Sequence, residues 1–240
     1  MSVPFDVSKF TVVKAKPLPV ILLLDTSGSM SGQKIDALNR AMDEMITAFK
    51  GAGDSETEID VAVITFGRDV SLRQPLTSAA DILWNDLEAG GGTPMGTAIA
   101  MAKAMIEDKE MIPSRAYRPT VVLVSDGQPT DSWEEPLNAF IAEGRSSKCD
   151  RMAMAIGHDA DETVLGKFIR ATEYPLFYAK DAAGLRDAFR FVTMSVTVRT
   201  NSQDANVVPS PAAVDVAPPT IDERPAEPAA PMDVQDEDYW

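Results

Sequence analysis

Val-Ile-Leu-Leu-Leu-Asp-Thr-Ser-Gly-Ser, at residues 20–29, joins an apolar run directly to a short polar stretch. The run at residues 20–24 is apolar at every position, which is typical of a strand that helices bury on both faces. A helical pattern follows the polar stretch, so the strand ends in a loop that leads into a helix. Ligands of open α/β sheets bind at such carboxyl ends of strands. The stretch therefore predicts an α/β fold with a ligand site at residues 25–29.

The rest of the chain continues this alternation of strands and helices. The pattern predicts buried strands at residues 18–24, 59–66 and 119–125, further strands at 152–156 and 176–178, an edge strand at 70–76, and a strand in the lead-in at 10–13. It predicts helices at residues 35–49, 79–87, 95–106, 132–145, 161–170 and 182–196. This order indicates a Rossmann-like, doubly wound and mostly parallel sheet, with one antiparallel edge strand and helices on both faces.

The composition limits the class of protein. The chain has 240 residues, of which 45% are hydrophobic and 25% charged, as in ordinary soluble domains. It has neither an apolar segment of about 20 residues nor the apolar block of a signal peptide, so we expect a cytoplasmic protein. Cys149 and His158 are the only residues of their types, which excludes internal disulfides, cysteine-based zinc sites and histidine-based triads. The net charge of -15 argues against nucleic acid or a membrane as a partner.

The last 40 residues have a different composition. Residues 201–240 contain seven prolines, no glycine, nine acidic residues and one basic residue. We therefore expect a lead-in at 1–16, a folded domain at 17–198 and an acidic, Pro/Ala-rich disordered tail at 199–240. This tail is either a solvating extension or a partner-binding motif, because aromatic residues accompany its acids and aromatics anchor interfaces. The candidate partner-binding residues are Asp236, Glu237, Asp238, Tyr239 and Trp240.

Two further stretches offer oxygen ligands at the ends of predicted elements. Thr93 follows three glycines and begins a helix, and Asp126 follows a buried strand. Together with the first stretch they give five candidate ligands: Asp25, Ser27, Ser29, Thr93 and Asp126. Oxygen-only ligands with few carboxylates suit Mg²⁺, with Mn²⁺ or Ca²⁺ as alternatives. The competing explanation is ordinary turn chemistry, which also uses Asp, Ser and Gly.

Three other polar residues have two interpretations each. Asp131 either caps the helix that is predicted to begin near residue 132 or orients a metal ligand without contacting the metal itself. Arg68 and Arg73 flank the predicted edge strand, where they either protect it from pairing with other chains or contact a partner.

The five candidate ligands resemble the metal-ion-dependent adhesion site of von Willebrand factor type A domains in order, spacing and loop context. The resemblance covers about residues 17–198. It implies that Ser27, Ser29 and Thr93 contact the metal directly, and that Asp25 and Asp126 bind it directly or through water. It also implies that one coordination position stays open for a Glu or Asp of a partner protein.

Residues 18–30, 90–96, 125–131 and 187–196 resemble, more narrowly, bacterial stand-alone TerY-type proteins of tellurium-resistance and stress-response systems. This resemblance implies a non-enzymatic, metal-dependent interaction module acting in stress response, tellurite resistance or phage defence. A Ser/Thr kinase or a PP2C-type phosphatase is the implied partner.

Two alternative functions remain at this point. The first is an adaptor for an AAA+ ATPase of the MoxR or chelatase type. The second is a Mg²⁺-dependent phosphohydrolase with Asp25 as nucleophile, which Ser27 disfavours because such phosphatases usually carry Asp at that position.

Overall fold

The computed structural model describes residues 15–53, 56–157, 159–202 and 204–214, which form an α/β domain around one sheet. The six strands are β1 Lys16–Asp25, β2 Thr57–Phe66, β3 Val70–Ser78, β4 Thr120–Ser125, β5 Asp150–Ile156 and β6 Phe177–Ala179. The helices are α1 Gln33–Lys50, α2 Met95–Glu107, α3 Glu134–Ala142, α4 Glu162–Phe168 and α5 Ala182–Thr200. The strand order is β3-β2-β1-β4-β5-β6. Only the β2–β3 pair is antiparallel, so the predicted fold class is confirmed.

Helices cover both faces of the sheet. Successive residues of β1 alternate between the faces, with Leu22 and Leu24 packing on the side of α1 and α5 and Leu23 on the side of α2, α3 and α4. All three side chains are fully buried. The central strand is apolar at every position because neither of its faces meets water.

The strand order brings the ends of β1 and β4 together. From β1 the chain passes through α1 to β2 and β3 on one side, and it later returns to place β4 on the other side. Leu24 pairs with Val124, so Asp25 and Ser125 leave the sheet side by side. The order of the strands thus reverses between β1 and β4, and open α/β sheets form a crevice for ligands at such a position.

The predicted helix at residues 79–87 is wrong, because only Ala79–Asp81 form a 3-10 turn. Asn39 of α1 determines the path of the following segment. Its side-chain oxygen accepts the Leu87 N–H at 2.8 Å, and its amide donates to the Leu87 carbonyl at 3.0 Å. The Asn39 side chain thus pairs both the N–H and the carbonyl of Leu87. These two groups therefore do not need the hydrogen bonds that a helix would provide.

The ordered structure extends past the domain boundary that we expected at residue 198. Helix α5 continues to Thr200, and residues 204–214 contact the domain instead of separating from it. The buried Arg199 donates to the Ala205 carbonyl at 2.7 Å, and the Tyr174 hydroxyl donates to the Pro209 carbonyl at 2.9 Å. The expectation of disorder from residue 199 is therefore wrong for this stretch.

Some sequence expectations lie outside the described residues. These are the strand at 10–13, His158 and the tail residues 236–240. Within the described part of the chain, none of the helices has the length and apolarity needed to cross a membrane.

Candidate metal centre

Three loops meet at the carboxyl edge of the sheet: the first loop (residues 25–29), the glycine loop (90–93) and the third loop (126–131). The Gly28 N–H donates to the Gly91 carbonyl at 3.0 Å, and the Gly90 N–H donates to the Thr26 carbonyl at 2.8 Å. The Thr130 N–H donates to the Thr93 carbonyl at 2.9 Å. Backbone hydrogen bonds therefore fix the relative positions of all three loops.

Glycine is required at position 91 for two reasons. Its φ of +87° lies in the left-handed region that other residues rarely adopt. A Cβ there would also lie 2.3 Å from the Arg68 Cα, which is a clash with backbone. A side chain at this position would push the glycine loop away from residues 67 and 68, between β2 and β3.

The hydroxyls of the first loop connect directly to the carboxylate of the third loop. Ser27 Oγ lies 2.9 Å from Ser29 Oγ, and the Ser29 hydroxyl donates to Asp126 Oδ1 at 2.7 Å. Asp126 is fully buried, whereas Ser29 is exposed. The cluster thus opens to solvent on the Ser29 side.

The carboxylate of Asp25 is buried beneath this cluster and is held on both oxygens. Its Oδ1 accepts the Ser27 N–H at 2.8 Å, and its Oδ2 accepts the Ser125 hydroxyl at 2.6 Å. Burial raises the pKa of Asp25, while the hydrogen bonds from Ser125 and Ser27 oppose that effect. These bonds fix the carboxylate in one orientation beneath the serines.

Thr93 brings the third hydroxyl to the same place. A Cβ on Gly127 would lie 3.9 Å from Thr93 Oγ1 and 3.8 Å from Ser29 Oγ, so both hydroxyls border the same small volume. Thr93 is 5% exposed, and its hydroxyl has no hydrogen-bond partner among the described residues. The structure therefore brings all five predicted ligands to one edge of the sheet and leaves one hydroxyl available.

The donor set fits a hard divalent cation. It consists of three hydroxyls and two carboxylates, all of which are oxygen ligands. In the described ranges there is no group of three or more His, Cys, Asp or Glu that could hold a metal, so a carboxylate-rich or thiolate site is not present there. The arrangement matches the predicted ligand set, and metal binding by these residues stays a prediction.

Lys34 is a residue of this site that the sequence analysis missed. Its ammonium lies 2.5 Å from Asp126 Oδ2 and forms a salt bridge with that carboxylate. Lys34 is in the first turn of α1, where the helix dipole disfavours a cation. A cation at this unfavourable position was the signal that an acidic partner lies nearby.

Ser125 and Asp131 also have roles that differ from expectation. The sequence predicts Ser125 only as the last residue of a strand, whereas its hydroxyl also holds the Asp25 carboxylate in place. Asp131 caps a different helix from the one expected: its carboxylate accepts the N–H groups of Gly96 and Thr97 at 2.9 and 2.8 Å, at the start of α2. It also accepts the Thr97 hydroxyl at 2.8 Å. Asp131 therefore links the third loop to the helix that begins after Thr93.

Comparison with known proteins supports this assignment of the fold. Residues 20–128 match the family model of the von Willebrand factor type A domain. The chain is 25% identical over 167 residues to inter-alpha-trypsin inhibitor heavy chain H4 of Sus scrofa, a match that covers 65% of this chain and 17% of that protein. The matched region is thus a small part of this much longer relative.

Two solved structures have the same fold. One is a von Willebrand factor type A protein from Catenulispora acidiphila, with a TM-score of 0.59 and 25% identity, covering 75% of this chain and 42% of that one. The other is proximal thread matrix protein 1 from the mussel byssus with a zinc-occupied MIDAS motif, the metal-ion-dependent adhesion site. Its TM-score is 0.58 at 19% identity, over 79% of this chain and 47% of that one.

Residues 20–128 therefore match a von Willebrand factor type A domain in sequence, and the sheet that contains them has the fold of that domain.

Proposed function

We propose that this chain is a metal-dependent protein-interaction module, which binds a carboxylate of its partner through a divalent cation. The observation that carries the proposal is the continuous contact of Ser27, Ser29 and Asp126 at an opening to solvent. Mg²⁺ is the proposed cation, with Mn²⁺ or Ca²⁺ as alternatives. A hydroxyl-rich site leaves coordination positions for water or for an incoming ligand.

The charges around the site favour an acidic ligand once the cation is bound. Asp25 and Asp126 contribute two negative charges, and Lys34 contributes one positive charge at Asp126. A divalent cation then makes the local formal charge positive. Because opposite charges attract more strongly away from bulk water, a partner's Glu or Asp is favoured at the open position.

The same geometry argues against the phosphohydrolase alternative. A carboxylate nucleophile needs a free oxygen that faces the substrate. Asp25 is fully buried, and both of its oxygens accept hydrogen bonds from Ser27 and Ser125. We therefore propose a binding role and not a catalytic one for this carboxylate.

The cellular setting is also part of the proposal. The motifs at residues 18–30, 90–96, 125–131 and 187–196 support a TerY-like role in a bacterial stress-response, tellurite-resistance or phage-defence system in the cytoplasm. A Ser/Thr kinase or PP2C-type phosphatase that presents an exposed acidic residue is the proposed partner.

Affinity capture from a bacterial lysate tests the function. The full chain should retain its partner in Mg²⁺ and release it in EDTA, and mass spectrometry would identify the released protein. Thr93→Val removes one ligand hydroxyl and should abolish capture. Thr97→Val is the matched control, because its hydroxyl binds Asp131 and not the site.

Two outcomes would contradict the proposal. Capture that persists in EDTA would show that the cation does not mediate the interaction. Recovery of a hexameric AAA+ ATPase in place of a kinase or phosphatase would replace the proposed partner with the adaptor alternative.

A further inference from the structure

A second candidate binding surface lies at the opposite edge of the sheet from the metal centre. It is a cleft of about 330 Å³ at the amino ends of β4 and β5, and we call it the basic cleft. Its lining includes Arg118, Arg145, Lys148 and Asn206. Because β4 has six residues, about 20 Å of strand separates this edge from the metal centre.

The lining of the basic cleft is cationic in a strongly acidic protein. It contains three cationic side chains and no acidic one, whereas the whole chain carries a net charge of -15. The cleft beside the first loop is different, because Asp69, Asp86 and Glu88 accompany its two arginines. An acidic segment is therefore attracted more strongly to the basic cleft than to the cleft at the metal edge.

The cations of the basic cleft have free donors. Arg118 and Lys148 are exposed, and neither side chain has a hydrogen bond or salt bridge to any described residue. Arg145 donates through Nη1 to the Ile106 carbonyl at 2.6 Å, which holds its guanidinium in place and leaves its other N–H groups for a ligand. These groups suit carboxylates, which accept charge-assisted hydrogen bonds.

The remaining lining gives the cleft an apolar part. Ala116, Tyr117 and Pro119, which are half-buried, contribute this surface beside the cations. A volume of this size lies at the lower end of ordinary ligand sites, where apolar walls combine with a few polar groups. The surface thus suits a short acidic segment that also carries aromatic side chains.

We propose that residues 236–240 dock in the basic cleft of their own molecule. This segment reads Asp-Glu-Asp-Tyr-Trp, with three acids for the three cations and two aromatics for the apolar part. Tyrosine and tryptophan bury much apolar surface at little cost in rotamer entropy, and they anchor many interfaces.

The chain is long enough for this return. Asn206, which lines the cleft, is eight residues before Val214, so the cleft lies within about 29 Å of Val214. Asp236 is 22 residues beyond Val214, which allows a span of up to about 75 Å. Docking at this edge leaves the open position of the metal centre to a carboxylate from another protein.

Disulfide trapping in the full chain tests the proposal. A Cys149→Ala background removes the native thiol, and Ser114→Cys with Gln235→Cys places one thiol at the basic cleft and one beside the acidic segment without removing any charge. The control pair is Ala89→Cys with Gln235→Cys, which samples the cleft at the metal edge. Circular dichroism would confirm that every variant folds.

The expected result is an intramolecular disulfide that forms at least about tenfold faster in the Ser114 pair than in the control pair at low salt. About 1 M salt, with a screening length of about 3 Å, should remove most of this difference. Adding Arg118→Gln and Lys148→Gln should also remove it. Equal rates in the two pairs, faster trapping at the metal edge, or disulfide-linked dimers would each overturn the proposal.

Discussion

The Lys34 ammonium lies 2.5 Å from Asp126 Oδ2, and the other oxygen of this carboxylate accepts the Ser29 hydroxyl. Asp126 is therefore shared between a cation built into the protein and the cluster that is proposed to bind a metal. Lys34 is partly exposed, so its ammonium can move toward solvent when a divalent ion arrives. The positive charge of Lys34 therefore weakens binding of the metal cation and strengthens binding of an acidic ligand.

Replacing Lys34 with Met should separate these two effects. Loss of the positive charge should strengthen binding of Mg²⁺ or Mn²⁺ by about tenfold, because the carboxylate no longer has a competing cation. The same change should weaken binding of an acidic partner to the metal-loaded protein. Titration calorimetry measures both affinities. Lys34→Arg keeps the charge and is the control; a weaker affinity for the metal in Lys34→Met would contradict this role.

Asp131 should stabilise the domain by capping α2 from the third loop. Asp131→Ala leaves the N–H groups of Gly96 and Thr97 without this acceptor, and such losses cost about 2 kcal/mol in free energy of unfolding. Urea denaturation measures the change. Asp131→Asn keeps one acceptor oxygen and should recover part of the loss, whereas the exposed Asp43→Ala should have little effect. Equal stabilities for Asp131→Ala and the wild type would rule out the cap.

Asp150 should make the domain less stable as the pH rises. Burial raises its pKa to about 6 from an ordinary value of 3.8, although nearby arginines, Arg199 first, oppose the shift. The folded state therefore holds a proton that the unfolded state releases between about pH 4 and pH 6. The stabilisation is fully present below about pH 4 and is lost as the pH passes through about 6.

Asp150→Asn removes this titration. The variant and the wild type should have similar free energies of unfolding at about pH 4, and the variant should be more stable by up to about 3 kcal/mol at about pH 8. Urea denaturation across this range measures the difference. Asp43→Asn, at an exposed position, is the control. A variant that is less stable than the wild type at high pH would show that the arginine pairing outweighs burial.

The sheet and the ligand set could be predicted because their signals are local. A fully apolar run followed by Asp, Ser and Gly indicates a buried strand that ends in a polar loop, and strand alternation then places such loops at one edge. Asp25 ends β1 and Asp126 directly follows the adjacent β4, so their proximity depends only on topology.

The features that the sequence analysis missed depend on contacts between distant segments. Asn39 binds the backbone of Leu87 and prevents the helix that local pattern favoured there. Arg199 binds the Ala205 carbonyl and holds a stretch whose composition indicated disorder. Asp131 caps α2 instead of the next helix, because the loop that carries it folds back on the glycine loop. Periodicity and composition contain no information about such pairs.

Metal binding to the full chain is the most direct test of the central claim. Electron paramagnetic resonance of free Mn²⁺ during titration gives the number of bound ions and their affinity. The wild type and Thr97→Val should each bind one ion per chain, while Thr93→Val should bind at least about tenfold more weakly. The absence of Mn²⁺ binding by the wild type, or an unchanged affinity in Thr93→Val, would contradict a cation held by the three converging loops.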